Sequence, residues 1–227
     1  MLTEKEILAV PAPWQLDGSG YILVYNFPQE FVREAGFLPP ALAGAFVGGP
    51  GAVMLVDYQH SDAGPYRELL FTPGQFQVNG RRFYSITKIY VSTWESVVNG
   101  RRNWGIPKEF ADFALTAPRP GVERVEVSLA GQVFATFEFQ THGWSLPVTT
   151  SLVPSALRTL IEPLDGKTYF TAPSGRGQIC RARLEKAEVQ PAFFPNIAQF
   201  RPFVCVRASG FALQFPLAEI TEVSHAN

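Results

Sequence analysis

Val125, Val127 and Leu129 alternate with Arg124, Glu126 and Ser128, and after Ala130-Gly131 the alternation resumes with Val133, Ala135, Phe137 and Phe139 set against Thr136 and Glu138. A helix would scatter those apolar residues around its axis, whereas a strand gathers them on one face. Two such runs joined by a small-residue turn read as an antiparallel hairpin with one dry face. The same logic extends outward. Asn79-Gly80 is a strong two-residue hairpin turn, joining Glu68–Val78 to Arg81–Thr93. In the second of these runs both faces carry apolar residues (Phe83, Ile89 and Val91 against Tyr84, Ile86 and Tyr90). A strand buried on both sides suits a closed barrel or the centre of a sandwich. Cys180–Val189 and Val204–Phe215 read as two further long strands.

Helical signals are few and short. Thr3 and Glu6 have capping-box spacing; Pro28–Gly36 opens on proline and closes on glycine; Trp94, Val97 and Val98 have helical spacing within Thr93–Asn103; Ser151–Ile161 is the fourth candidate. So little helix argues against a parallel α/β sheet. Val-Asn-Gly-Arg-Arg occurs at Val78–Arg82 and at Val98–Arg102, but the flanks differ and no duplication is inferred. No linker stands out, so the expectation is a single domain over residues 1–227.

Charge excludes one large class of partner. A net charge of -1 does not provide the basic footprint of a general nucleic-acid binder. Ala35–Val56 lacks charge and is long enough to span a bilayer, yet Pro39, Pro40, Pro50 and five glycines would break an isolated helix there. It reads as a buried loop entering a strand, and no membrane span is expected. No basic n-region precedes an apolar stretch at the N-terminus, and Cys180 and Cys205 lack CxxC spacing. A cytoplasmic protein in a reduced compartment is expected. His60, His142 and His225 lie far apart and His60-Ser61-Asp62 has nothing nearby to complete a site, so no metal is expected. Gly48-Gly49-Pro50-Gly51 lacks the spacing of a phosphate cradle, and there is no GxSxG elbow.

Lysine is scarce: of 19 basic residues five are Lys, and Lys108 sits among Trp104, Ile106, Pro107 and Phe110. Free lysine titrates near 10.4, so at pH 7 less than about one amine in a thousand is neutral and nucleophilic. Burial or a neighbouring cation lowers that value, and the neutral amine then forms Schiff bases with carbonyl compounds. A surface lysine beside a proline is the plainer reading of the same residues.

The segment Gly100-Arg101-Arg102-Asn103-Trp104-Gly105-Ile106-Pro107-Lys108-Glu109 resembles the GRE-x-x-x-Y-PK segment of the acetoacetate decarboxylase family, in which the Lys after Pro forms the Schiff base. Gly100, Arg101, Pro107 and Lys108 match without a gap. Tyr66-Arg67-Glu68 is similar to the family's Tyr-x-Glu on a strand, whose Glu lies in the active site, and Gln178-Ile179-Cys180-Arg181 resembles its C-terminal half. The resemblance runs from about Tyr21 to Ile220. It departs in three places. A second lysine of the decarboxylase is Glu109 here; the family's N-terminal arginine maps near Gly18; and a second acidic residue maps near Leu55, with Asp57 the closest carboxylate.

The resemblance implies a mainly β fold, an antiparallel barrel or cone with a few short helices. It implies Schiff-base chemistry on a small oxo-acid or other carbonyl compound, of decarboxylase, aldolase or dehydratase type, in a homo-oligomer without a cofactor. Lys108 would be the nucleophile and Glu68 the proton shuttle. Arg101 or Arg102 would bind a carboxylate or tune the lysine, and Tyr66 and Trp104 would line the pocket with apolar residues of Ala35–Val56. The alternative is a non-catalytic barrel that binds an apolar small molecule. An active Lys108 should be buried with a depressed pKa; a surface lysine paired to Glu109 would favour the binder.

Overall fold

The computed structural model describes residues 7–222. The Thr3–Glu6 helix signal and His225 lie outside them. The strands in chain order are β1 (Trp14–Tyr25), β2 (Phe46–Gly48), β3 (Gly51–Ser61), β4 (Tyr66–Thr72), β5 (Gln75–Val78), β6 (Arg81–Tyr84), β7 (Lys88–Val91), β8 (Lys108–Phe110), β9 (Asp112–Arg119), β10 (Val122–Leu129), β11 (Gln132–Thr149), β12 (Leu160–Leu164), β13 (Lys167–Thr171), β14 (Ser174–Val189), β15 (Val204–Phe215) and β16 (Glu219–Glu222). Two α-helices accompany them, α1 (Gln29–Ala35) and α2 (Trp94–Trp104). The fold is mainly β.

Ten strands form one sheet in the order β8-β7-β4-β3-β1-β15-β14-β11-β10-β9, and six form a second in the order β16-β13-β12-β6-β5-β2. Pairing is antiparallel except for β7 with β8 and β6 with β12. The large sheet has β8 at one edge and β9 at the other, yet only Ala111 separates them in the chain. The sheet therefore curls until its two edges meet end to end. They share no ladder, so the sheet is a curled half-barrel, in keeping with the expected mainly β barrel or cone with a few short helices.

The two predicted hairpins form. Asn79 and Gly80 both take positive φ between β5 and β6, as do Ala130 and Gly131 between β10 and β11, which is the twist a two-residue turn needs. The runs around Asn79-Gly80 are shorter than expected. Pro73, which has no N–H to give a ladder, and Gly74, at φ 144°, end β4, and Ser85–Thr87 separates β6 from β7. The chain uses these breaks to cross between the two sheets. The Ser85 break is held by Glu162 of β12, which accepts from the Ile86 N–H at 2.7 Å and the Ser85 hydroxyl at 3.1 Å.

The helix expected over Ser151–Ile161 does not form. Two 3-10 turns, Thr150–Leu152 and Ser155–Leu157, lead into β12. Pro154 interrupts the run, and the hydroxyls of Thr149 and Thr150 bond to nearby backbone instead, accepting from the Ser151 and Gly175 N–H groups. The stretch 35–50 is partly exposed surface rather than a buried loop; Leu42 and Phe46 are its buried apolar anchors before β3 begins.

Two apolar clusters lie against the large sheet. Tyr21, Leu23, Leu55, Leu69, Phe71, Phe137 and Phe139 belong to one; Trp14, Leu16, Tyr58, Tyr66, Leu70, Ile89 and Trp104 belong to the other. β1 contributes to both because its register shifts at Gly18–Gly20, which exchanges the side chains between the two faces. Glycine is required there: a Cβ on Gly18 would lie 2.4 Å from the Asp57 carbonyl oxygen, and one on Gly20 2.3 Å from that of Leu55.

Candidate functional site

α2 begins at Thr93, whose hydroxyl accepts from the Ser96 N–H. It ends at Gly105, which takes the left-handed conformation at φ 66°. Ile106-Pro107 then turns the chain so that β8 runs back beside β7, with Lys108 opposite Ile89. The Lys108 side chain crosses α2 at Gly100. A Cβ there would lie 2.6 Å from Lys108 Cδ and 2.9 Å from Cε. The Gly at one end of the sequence segment and the Lys at the other are thus in contact, and the glycine makes room for the lysine stem.

The lysine amine is buried, with the residue 4% exposed. Its Nζ lies 3.1 Å from Glu68 Oε2, 3.0 Å from Ser96 Oγ and 3.3 Å from the Tyr66 hydroxyl, and 4.8 Å from the centre of the Tyr66 ring. Tyr66 and Glu68 are two apart on β4, so they share a face. The second carboxylate oxygen of Glu68 accepts from the Tyr58 hydroxyl at 3.5 Å.

Burial alone would drive the Lys108 ammonium toward neutrality. The hydrogen bonds and charges of its partners outweigh it, and the amine sits above its ordinary value. Burial pushes the Tyr66 phenol up to about 12 despite the ammonium beside it, so at neutral pH Tyr66 is uncharged and Glu68 supplies the negative charge. Of the two marks set for an active lysine, Lys108 shows the burial and not the depressed value: among the described residues a carboxylate, and no cation, stands beside the amine. Tyr58 is raised well above its usual range, first by burial and then by Glu68.

A cavity of about 270 Å³ opens onto this pair. Its wall is largely apolar, including Trp14, Met54, Val56, Ile86, Trp104 and Phe215, with Lys108, Glu68 and Arg158 as its charged residues. Trp104 is held by a hydrogen bond from its indole N–H to the Pro216 carbonyl at 2.7 Å and by edge-to-face contact with Trp14 at 4.9 Å. A second cavity, of about 340 Å³, is bordered by Tyr21, Asp57, Arg67, Glu123 and Arg207. These polar groups are already paired, Asp57 with Arg67 at 3.0 Å and Glu123 with both the Tyr21 hydroxyl and Arg207.

The family model for acetoacetate decarboxylase matches residues 3–164, well over half of the chain. The chain belongs to the acetoacetate decarboxylase family. Among curated proteins nothing matches at a significant level. Solved structures extend the likeness over nearly the whole length. An acetoacetate decarboxylase from Legionella pneumophila superposes with a TM-score of 0.68 at 14% identity, covering 94% of this chain and 90% of that one. An acetoacetate decarboxylase-like enzyme from Sphingomonas wittichii RW1 gives 0.67 at 13% identity, covering 98% and 97%. The enduracididine biosynthesis enzyme MppR, complexed with the condensation product of pyruvate and imidazole 4-carboxaldehyde, gives 0.62 at 16% identity, covering 97% and 92%. At these identities the superpositions speak for the fold.

Against the family pattern, the structure brings Lys108, Glu68 and Tyr66 together and sets Trp104 in the cavity wall, but Tyr66 reaches the amine without lining the cavity as expected. It does not bring Arg101 or Arg102 to them: neither lines the cavity, and Arg102 is exposed on α2. Arg101 is half-buried, and its Nε has no hydrogen-bond partner among the described residues. Glu109, in the place of the family's second lysine, faces away from Lys108 and pairs with Lys88 Nζ at 2.5 Å, as alternation along a strand requires. Asp57 borders the other cavity. Of Ala35–Val56, Met54 and Val56 reach the lysine cavity, both from β3. Three site residues went unnoticed in the sequence. Ser96 was hidden within a helix signal, Tyr58 within a strand, and Arg158 within the run misread as a helix.

Proposed function

We propose that the protein carries out Schiff-base chemistry on a carbonyl compound, with Lys108 as nucleophile and Glu68 as proton shuttle. The reading rests on one observation: an amine and a carboxylate 3.1 Å apart, both buried, at the wall of a largely apolar cavity. In the resting pair the amine holds the proton. As a carbonyl compound enters, the proton passes to Glu68 and the freed Nζ lone pair attacks the carbonyl carbon. The carbonyl oxygen then leaves as water, taking the Glu68 proton and one from the nitrogen, and the carbon is held as an imine. Glu68 stands where it can next move a proton at the carbon beside the imine. Decarboxylation, aldol chemistry and dehydration all pass through that intermediate.

The test is borohydride reduction in the presence of oxo-acids and aldehydes, with intact mass and peptide mapping and Lys108→Ala as control. Carbonyl-dependent trapping at Lys108 supports the reading. A folded protein with no adduct for any carbonyl sinks it in favour of a non-catalytic pocket, which the raised amine would suit. The same reading places the protein in the cytoplasm as a homo-oligomer. Trp144, 92% exposed, and Leu152, 85% exposed, are apolar surface that such an assembly would cover; native mass measurement decides it.

A further inference from the structure

The lysine cavity holds three charged side chains, and two of them cancel. Lys108 and Glu68 form a pair; Arg158 forms none with any carboxylate among the described residues. Its guanidinium is fixed by backbone instead. Nε donates to the Val153 carbonyl at 3.3 Å, and Nη1 donates to the carbonyls of Ala172, at 2.6 Å, and Pro173. Carbonyl oxygens orient a guanidinium without neutralising it, and Nη2 has no partner among the described residues. An uncompensated, oriented cation in an apolar cavity draws anions into it.

Arg158 is also set apart from the reacting pair. It lies beyond ion-pair distance of the Glu68 carboxylate and is not among the charges that act on Lys108. It therefore does not tune the amine, and an anion on Arg158 does not occupy the place of a carbonyl on Lys108. Most of the rest of the cavity wall is apolar. Met54, Val56, Tyr58, Thr150 and Leu213 are shared with an adjoining cavity of about 360 Å³, which is lined mainly by Val148, Val153, Ile179 and Phe211 with other apolar groups.

We propose that Arg158 is the carboxylate anchor of the site and that the substrate is an oxo-acid whose apolar body spans from Arg158 to the carbonyl at Lys108. This rests on the Schiff-base reading and adds the substrate class to it. Arg158 binds substrate; it takes no proton and forms no covalent bond.

A matched pair of probes separates the two claims: 4-formylbenzoate, with carboxylate and carbonyl at opposite ends of an aromatic ring, and 4-methylbenzaldehyde, in which a methyl replaces the carboxylate. Borohydride trapping at Lys108 is titrated against each probe, and against pyruvate, in the wild type and in Arg158→Gln. Charge-assisted hydrogen bonds set the expected scale: Arg158→Gln raises the half-trapping concentration of the formylbenzoate roughly 10- to 100-fold. It leaves 4-methylbenzaldehyde unchanged, which also reports that the cavity survives the substitution. Pyruvate, whose carboxylate and carbonyl are on adjacent carbons, is trapped more weakly than formylbenzoate. Equal trapping of formylbenzoate by both proteins overturns the anchor while keeping the imine. Equal loss for both probes assigns Arg158 to bracing the 153–173 region and also overturns it. If the wild type traps nothing, calorimetric binding of benzoate is the second readout. Binding lost in Arg158→Gln keeps the anchor and discards the imine; binding unaffected discards both.

Discussion

The two faces of β3 and β4 carry the same strands into different environments. On one face Val53, Leu55, Leu69 and Phe71 meet rings: Tyr21 stacks on Phe139 at 3.9 Å, and Phe71 packs against Phe27 and Phe194. Ion pairs near that face, such as Arg67 with Asp57, stay within reach of water. On the other face Met54, Val56, Tyr58, Glu68 and Leu70 border a cavity, and an ion pair lies where water hardly reaches. Filling a core with aromatic rings is what stability asks for. Both faces border a cavity, but the second also buries an ion pair at its wall, and that costs stability, since desolvation of the two ions is repaid only by good geometry and further hydrogen bonds. The second face is therefore shaped by something other than stability, and the partners that Ser96, Tyr66 and Tyr58 give to the pair are what keep it tolerable.

The largest effects should distinguish the faces by kind. Phe137→Ala, in the ring-filled core and fully buried, should cost about 3–5 kcal/mol. At roughly 2–4 °C per kcal/mol for a chain of this size, the melting temperature should fall by about 6–20 °C, while the protein that remains folded still traps carbonyls at Lys108. Loss of trapping without loss of melting temperature would break the division between the two faces.

Glu68→Gln should act on both properties. Removing one member of a buried pair costs about 3–5 kcal/mol because the other charge is left uncompensated. The sign of its pH dependence is more informative than its size. In the wild type the Lys108 value is raised on folding. Its contribution to stability is complete below the unfolded value near 10.4 and is lost as pH rises through the folded value. Without Glu68, burial is opposed by Tyr66 without the carboxylate, so the Lys108 value falls. The variant should then lose its alkaline stability at lower pH than the wild type, and its alkaline limb of trapping should move to lower pH by at least about one unit. An unmoved limb would show that Glu68 does not hold the proton.

Gly100→Ala tests the packing that positions the amine. The added methyl would meet the middle of the lysine stem at 2.6 Å, so Nζ must shift. Trapping at Lys108 should drop by about tenfold or more, with a smaller stability cost of about 1–3 kcal/mol. Intact trapping would mean that the stem bends without moving the amine.

These tests also mark what could be read in the chain. Alternation identified the β10–β11 hairpin because the pattern is local and one face is dry. Gly100, Pro107, Lys108 and Glu68 were legible through their resemblance to a family. Their physical meaning was not, because the contact between Gly100 and Lys108 depends on how α2 and β8 fold back together. Arg158 was missed for a related reason. Its three carbonyl partners lie on segments separated in sequence, 153 and 172–173, and the hydroxyls that undo the expected helix bond to backbone across a similar gap. Whether the lysine is depressed or raised was not legible, because the sequence shows burial more readily than it shows which charge is buried alongside.

Glu109→Gln should have the smallest effect, and it sharpens the contrast by charge rather than by packing. Glu109 adjoins Lys108 in the chain but lies on the other side of β8, 45% exposed in its side chain, where it pairs with Lys88. Lys88 also sits over the rings of Phe37 and Tyr90 at 4.9 and 4.7 Å, which hold it in place without the carboxylate. A partly exposed pair of this kind is worth at most about 1 kcal/mol, so the melting temperature should fall by no more than about 4 °C. The alkaline limb of trapping should not move, because the raised value at Lys108 comes from Tyr66 and Glu68, against burial, and Glu109 is not among its causes. A limb that shifted to lower pH in Glu109→Gln would show the adjacent carboxylate acting on the amine through the strand. One of the three departures of this chain from the decarboxylase pattern would then be a brake on its chemistry rather than a surface ion pair.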